Sequence, residues 1–156
     1  MSALTYSWFM EARTLHAPLD ALSAANRPQG IEIATLTTFD IPALAVLTLE
    51  AYDDAVTPEA LLETSEELRL TFEGAFGATT EDSFVGAWDG GTLIGAILVV
   101  RESPWDDAPD GPFVVDLIVA PDYRRRGIAT ALVSEVATRC TNWGFDTLAL
   151  RLDARH

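Results

Sequence analysis

Val115-Asp116-Leu117-Ile118-Val119-Ala120-Pro121-Asp122-Tyr123-Arg124-Arg125-Arg126-Gly127-Ile128-Ala129-Thr130 is the stretch on which the reading of this chain turns. Phe113 to Val119 is apolar apart from Asp116, the pattern of a strand covered on both faces. From Thr130 to about Trp143 the chain reads as a helix, with Leu132, Val133, Val136, Ala137 and Cys140 inward. Between them, three arginines and one glycine crowd a turn. A helix N-terminus exposes backbone N–H groups that lack intrahelical partners, and glycine lets an anion approach the backbone closely. Such a turn can cradle a pyrophosphate. It is neither a Walker loop, since Gly-Lys-Ser/Thr is missing, nor a Gly-x-Gly-x-x-Gly fingerprint. An Arg run alone reads equally as a solvated or nucleic-acid patch.

Working outward, Phe84 to Trp88 and Thr92 to Arg101 flank Asp89-Gly90-Gly91 and form a hairpin, since an Asp-Gly turn needs positive φ. Ile31 to Leu36 reads as a short strand, and Asp40 is placed to cap a helix running to about Tyr52. Thr57 followed by Pro58 starts the next helix, with Leu61, Ser65, Leu68 and Phe72 on one face and Glu59, Glu63, Glu66, Glu67 and Glu73 opposite. Ser103 to Gly111, with its Asp and Pro residues, reads as a loop, and Asp146 to Leu152 as a last strand. In front, Leu4, Tyr6, Trp8, Met10 and Ala12 alternate with mostly polar residues as in a strand, followed by a short helix from Pro18 to Ala25.

With 156 residues the chain has the length of one domain and can bury about two thirds of the surface exposed when unfolded. Apolar residues make up 49%, which excludes wholesale disorder. The apolar runs Ala43 to Leu49 and Ile94 to Val100 fall far short of the roughly 18 residues a bilayer crossing needs. The first ten residues lack the Lys or Arg of a secretory signal, so a cytoplasmic location is expected. One cysteine, Cys140, permits no intrachain disulfide and no Cys-rich metal site. On the inward helix face it reads as core, not nucleophile. His16, on a linker, and His156, at the chain end, make no metal site, and no metal is expected.

The net charge of −14 is unevenly spread. Residues 1–30 balance, residues 31–123 carry nineteen acids and two Arg, and the last 33 residues carry six Arg and three acids. An acidic body repels nucleic acid and favours cationic partners, while a local basic cluster suits one small polyanion. The acidity also serves solubility. All ten basic residues are Arg, which fits a compositional bias of the source or adaptation to high salt.

At the quoted stretch the chain resembles the GNAT family, the Gcn5-related N-acetyltransferases. Their acetyl-CoA signature, Arg/Gln-x-x-Gly-x-Gly/Ala, is matched by Arg124, Gly127 and Ala129, preceded by Val119, Pro121 and Tyr123 of the family's Val-x-Pro-x-Tyr. The resemblance covers about residues 31–156 and implies an α/β (α+β) fold. It is a mixed, mostly antiparallel central sheet flanked by helices, with residues 1–30 as an extra strand-helix segment. It also implies that backbone amides of Arg124, Arg125, Arg126, Gly127, Ile128, Ala129 and Thr130 wrap the CoA pyrophosphate, with the Arg side chains near the phosphates. The backbone of Leu117, Ile118 and Val119 would take the pantetheine arm where this strand splays from the last one. Asp116 matches a position that is acidic in several family members, near the acceptor amine, while Val115 stands where those enzymes often carry a second acid.

The family continues past the strand matching Asp146 to Leu152 with a helix and two more strands, and that helix bears a Tyr general acid. This chain is therefore expected to be short at that end, and with no tyrosine after Tyr123 no general acid is assigned. A bare last strand would expose backbone groups and Leu148, Leu150 and Leu152. Residues 1–30 are expected to cover it, within the chain or swapped across a homodimer. The alternative is that they extend the far edge beside Ile31 to Leu36.

The resulting expectation is an N-acetyltransferase moving acetyl from acetyl-CoA to a primary amine of a cationic small molecule or protein, without nucleic-acid or membrane partners. Asp116 is the candidate base, with a structural buried Asp as the other reading. Glu102, Asp106, Asp107 and Asp110 are looser candidates. Two further readings stay open: a non-catalytic CoA-binding module, and a plain α/β domain whose Arg turn binds nothing specific.

Overall fold

Asp89, Gly90 and Gly91 reverse the chain between β4 (Phe84–Asp89) and β5 (Thr92–Val100), with Gly90 at φ +62°. This hairpin lies at the heart of the computed structural model, which describes residues 9–11, 14–19, 27–102 and 110–151. Around it are β1 (Phe9–Glu11), β2 (Thr14–Pro18), β3 (Ile31–Thr35), β6 (Phe113–Val119) and β7 (Thr147–Arg151). The seven strands run in the order β1-β2-β7-β6-β5-β4-β3. Every neighbouring pair is antiparallel except β6 and β7, which are parallel. The mixed, mostly antiparallel sheet with flanking helices is the expected fold.

Among the described residues two helices cover one face and one the other. Helices α1 (Ile41–Ala51) and α2 (Pro58–Phe72) pack through Leu44, Leu47 and Leu68 on Phe84, Leu93, Leu98 and Ile118. Helix α3 (Ile128–Asn142) presents Ile128, Ala131, Leu132, Val136 and Cys140 to Val85, Ile94, Ile97 and Leu148. These positions recur at three- and four-residue intervals, the stripe of a helix buried on one side. Gly95 brings α3 close to β5, because a Cβ there would lie 3.0 Å from the Ile128 Cγ2 and 3.2 Å from the Leu132 Cδ1. At the far end of α3, Arg139 donates to the Thr35 hydroxyl at 2.8 Å and to the Asp82 carbonyl at 2.9 Å, fixing the helix across the sheet.

Local signals are borne out where chemistry is local. The Thr57 hydroxyl accepts from the Ala60 amide at 3.1 Å, capping α2. Asp40 is different: it precedes α1 but makes no side-chain cap there, and its carboxylate instead accepts from the Thr37 amide at 2.8 Å. That bond closes a capping box on the short 3-10 turn Thr38–Asp40. Helix α3 begins two residues before the expected Thr130, because Gly127 in the left-handed conformation sets its start.

The front of the chain departs most from expectation. Of the strand read from Leu4 to Arg13, Phe9–Glu11 is strand, and residues 1–8 and 12–13 lie outside the described residues. The segment read as a linker, which includes His16, is instead β2. His16 stands opposite Phe9 on β1 and Ala149 on β7. The helix expected from Pro18 falls mostly on 20–26, outside the described residues, while Pro18 itself ends β2. The front segment does lie beside the last strand within the chain, but not through the strand read from Leu4 to Arg13: β2 pairs with β7 over five residues, from Thr14 opposite Arg151 to Pro18 opposite Thr147, and Phe9–Glu11 pairs with β2 instead. Leu19 is buried beyond it and its amide donates to the Asp146 carbonyl at 2.9 Å. The far edge, β3, is not extended by it. Leu148 is fully buried, and Leu152 lies outside the described residues.

Deleting residues 1–28 strips the hydrogen-bonding partner from one side of β7 and is expected to cause self-association. Light scattering on the shortened chain checks this. A soluble, monodisperse product of unchanged oligomeric state would contradict it.

Candidate functional site

The site is built along β6 and the turn that follows it. Among the described residues β6 and β7 pair at Phe113 opposite Ala149 and Val114 opposite Leu150; residues 152–156 lie outside the described residues. Arg151, one residue further, pairs with Thr14 of β2. A β-bulge follows in β6. On the other side of β6, Leu98 faces Asp116 and Val99 faces Val114, so Val115 is the extra residue. A bulge bends its strand and increases local twist.

Burial records the consequence. β5 is buried at every residue from Leu93 to Val100, whereas Val115, Asp116, Leu117 and Val119 of its neighbour β6 are only half-buried. The sequence pattern suggested a strand covered on both faces. Beyond Val114 it is half-buried at every residue except Ile118. Leu117 and Val119 lean on the α3 face of the core and Ile118 is buried on the α1/α2 face.

At the end of β6 the chain makes a 3-10 turn, Pro121–Tyr123, and then the arginine turn. Arg125 has φ +64° and Gly127 φ +80°, with Arg126 between them at negative φ. Alternation of this kind turns successive N–H groups into one concavity suited to anions. Gly127 caps α3 without any side-chain hydrogen bond, and a Cβ at Gly127 would meet nothing within 4 Å. The first-turn amides of Ile128, Ala129 and Thr130 therefore have no side-chain cap competing for them. The Ile128 side chain is core, so only its backbone faces this task. Ala129 and Thr130 are half-buried.

The arginine side chains diverge. Arg125 is exposed. Arg126 lies over the Tyr123 ring at 5.1 Å, and the Tyr123 hydroxyl donates to Asp89 Oδ2 at 2.5 Å. That bond to a carboxylate raises the Tyr123 pKa above its ordinary value. The Arg124 guanidinium is turned away from the anion cradle. Its Nη2 donates to the Ala51 carbonyl at 2.6 Å and its Nε to the Val119 carbonyl at 3.3 Å.

Asp116 points to the α1/α2 side, where it accepts a hydrogen bond from the Tyr52 hydroxyl at 2.5 Å. Tyr52 caps the C-terminus of α1. Sequence reading missed it, since nothing links two residues 64 positions apart except the fold. The looser candidates do not gather here. Glu102 bridges to Ala78 beyond the other end of β5, Asp110 is exposed, and Asp106 and Asp107 lie outside the described residues. An open cavity of about 660 Å³ lined by Leu36, Phe72, Thr80 and Phe84 contains none of the expected site residues. Phe84 starts β4, whereas Asp89, which ends it, is the residue bonded to Tyr123.

Cys140 is buried in the α3 core, and loss of solvation pushes its thiol pKa up to about 12. Among the described residues no group of three His, Cys, Asp or Glu could hold a metal ion, and no helix is long and apolar enough to cross a membrane. Because it is the thiolate that attacks a thiol reagent, Cys140 in the folded chain is expected to stay unmodified at pH 8 and to react on unfolding. Rapid modification of folded protein, followed by absorbance, would contradict its placement.

Comparison with known proteins supports the fold and the family. The sequence profile of the acetyltransferase (GNAT) family matches residues 47–156. A GCN5-related N-acetyltransferase from Sphaerobacter thermophilus superposes with TM-score 0.62 at 23% identity, covering 90% of this chain and 42% of that one. This chain thus spans less than half of that protein's length. The Escherichia coli ribosomal-protein-S18-alanine N-acetyltransferase gives 0.56 at 17% identity, over 80% of this chain and 68% of that chain. A PaiA N-acetyltransferase from Thermoplasma acidophilum, solved with coenzyme A, gives 0.51 at 20% identity, over 73% and 74%. Among proteins of curated function, none matches the chain.

Proposed function

The chain belongs to the acetyltransferase (GNAT) family, and on that premise we propose that it transfers the acetyl group of acetyl-CoA to a primary amine of a cationic acceptor. The observation that carries this reading is the continuity of two backbone features. The half-buried part of β6 leads through the arginine turn into the N-terminus of α3, which has no side-chain cap. A pantetheine arm carries amide groups that can hydrogen-bond to a strand edge, and its pyrophosphate suits a helix N-terminus preceded by a left-handed glycine. CoA offers both in one molecule. The coenzyme A complex of the Thermoplasma relative supports the same choice.

In this reading the amides of Ile128, Ala129 and Thr130, with those of Arg124 to Gly127, hold the pyrophosphate. The backbone of Leu117, Ile118 and Val119 lines the pantetheine arm. Asp116 sits on the strand that carries the thioester and faces the end of α1, where Glu50, Asp53 and Asp54 add exposed negative charge. That charge favours an ammonium acceptor.

An ammonium with a pKa near about 10 must lose a proton before it can attack. Asp116, directly or through a water, takes that proton. The nitrogen lone pair then adds to the thioester carbonyl and forms the C–N bond, the adduct gives up a second N–H proton to solvent, the C–S bond breaks, and CoA leaves as a thiolate that is reprotonated from solvent. Tyr52 orients the Asp116 carboxylate through its hydroxyl. Family membership and the acidic rim support an amine acceptor.

Ala129→Glu places a carboxylate at the cradle and is expected to abolish CoA binding in a calorimetric titration. Wild-type affinity in that variant would show that the cradle is misplaced. Asp116→Asn is expected to keep CoA affinity and to lower kcat/KM for the best amine of a panel by about 10²-fold or more, the scale of a lost general base. Thiol release from acetyl-CoA gives the rate. Undiminished turnover would remove Asp116 from the chemistry, and CoA binding without thiol release for any amine would point to a non-catalytic module.

A further inference from the structure

Arg124 carries the signature position of the turn, yet its guanidinium joins three parts of the fold instead of facing the anion cradle. Ala51 is the last residue of α1, and its carbonyl is among those left without an intrahelical donor. A guanidinium there also meets the negative end of the helix. The same side chain reaches the Val119 carbonyl at the last residue of β6. Beyond Ala51 the chain is held in a tight reversal. Asp53 has φ +57°, its amide donates to the Glu50 carbonyl at 3.2 Å, and the Asp54 amide donates to the Leu49 carbonyl at 2.8 Å. Between Ala51 and Asp53 stands Tyr52, bonded to Asp116. The contact therefore runs from the CoA turn to the residue that orients the carboxylate, through one guanidinium and one peptide.

We propose that Arg124 is a positioning residue that couples the two substrate sites. It fastens the end of α1 to the cofactor turn, so that ordering of the turn by CoA orders Tyr52 and Asp116 for the acceptor. Coupling of this kind is reciprocal, so acceptor binding tightens CoA binding by the same factor. The proposal rests on the acetyl-CoA reading of the turn. It assigns the Arg124 side chain to the acceptor side and leaves phosphate binding to the backbone. A lysine cannot reproduce it fully, since a single ammonium lacks the planar fork that spans two carbonyls.

The test needs no knowledge of the acceptor. Amide exchange of residues 52–54 is measured by NMR in wild type, Arg124→Ala and Arg124→Lys, with and without CoA, alongside calorimetric titration of CoA. The expected result for Arg124→Ala is exchange at 52–54 faster by about tenfold without CoA, the signature of a local opening made easier. Added CoA, which slows this exchange in wild type, no longer slows it, and CoA affinity stays within about threefold because backbone amides persist. Arg124→Lys falls between the two. Unchanged exchange at 52–54, or a loss of CoA affinity beyond about thirtyfold, overturns the proposal; the second result marks the side chain as a phosphate ligand. If wild type itself binds no CoA, the acetyl-CoA reading and the coupling fail together. The comparison without CoA still shows separately whether Arg124 holds α1.

Discussion

The bulge at Val115, where β6 bends within the sheet, is the constraint from which the rest of the site follows. A strand inside a sheet has its N–H and C=O groups satisfied on both sides, and a polar backbone left unpaired in a partly buried place is costly. Here the bulge at Val115 bends β6, and Val115, Asp116, Leu117 and Val119 are only half-buried. Among the described residues β7 accompanies β6 as far as Val114. A strand edge is suited to an extended ligand with its own amide groups, bound as a strand would be bound.

Everything adjacent serves that bend. Gly95 brings α3 down on β5, which sets the helix N-terminus just past the end of β6. Arg125 and Gly127 take the left-handed conformations that make the turn tight enough to join them. Tyr123 is held by Asp89 and Arg126, so the turn is anchored to the β4–β5 hairpin as well. On the other side, β7 cannot stand alone with Leu148 at its centre, and β2 pairs with it along its whole length. The N-terminal segment is thereby part of the same structural problem, since a β7 without β2 would be an exposed edge.

Much of this was legible in the sequence because its causes are local. The Asp89-Gly90 turn, the Thr57-Pro58 start of α2, the inward stripe of α3 and the signature turn are each set by residues within a few positions of one another. What stayed hidden depends on distant pairs. Nothing near Thr14 to Pro18 marks it as a strand until β7 is placed beside it. Asp40 resembles a helix cap, but Thr37 lies three residues before it and takes its carboxylate. The half-burial of β6 beyond Val114 is not encoded in its apolar pattern. Tyr52 and Asp116 meet only because α1 ends over that strand. Arg124 shows the same limit from the other direction: its position in the signature was readable, and the direction of its side chain was not.

The central claim is that β6 beyond Val114 and the N-terminus of α3 form one CoA site. Titrating CoA into isotopically labelled protein and following each backbone amide resonance by NMR tests it most directly. The account predicts that the largest shifts fall together at residues 116–119 and 124–130, with a common saturation curve. Shifts gathered instead around Leu36, Phe72 and Phe84, at the cavity by the other end of β4, or at neither place, would contradict it.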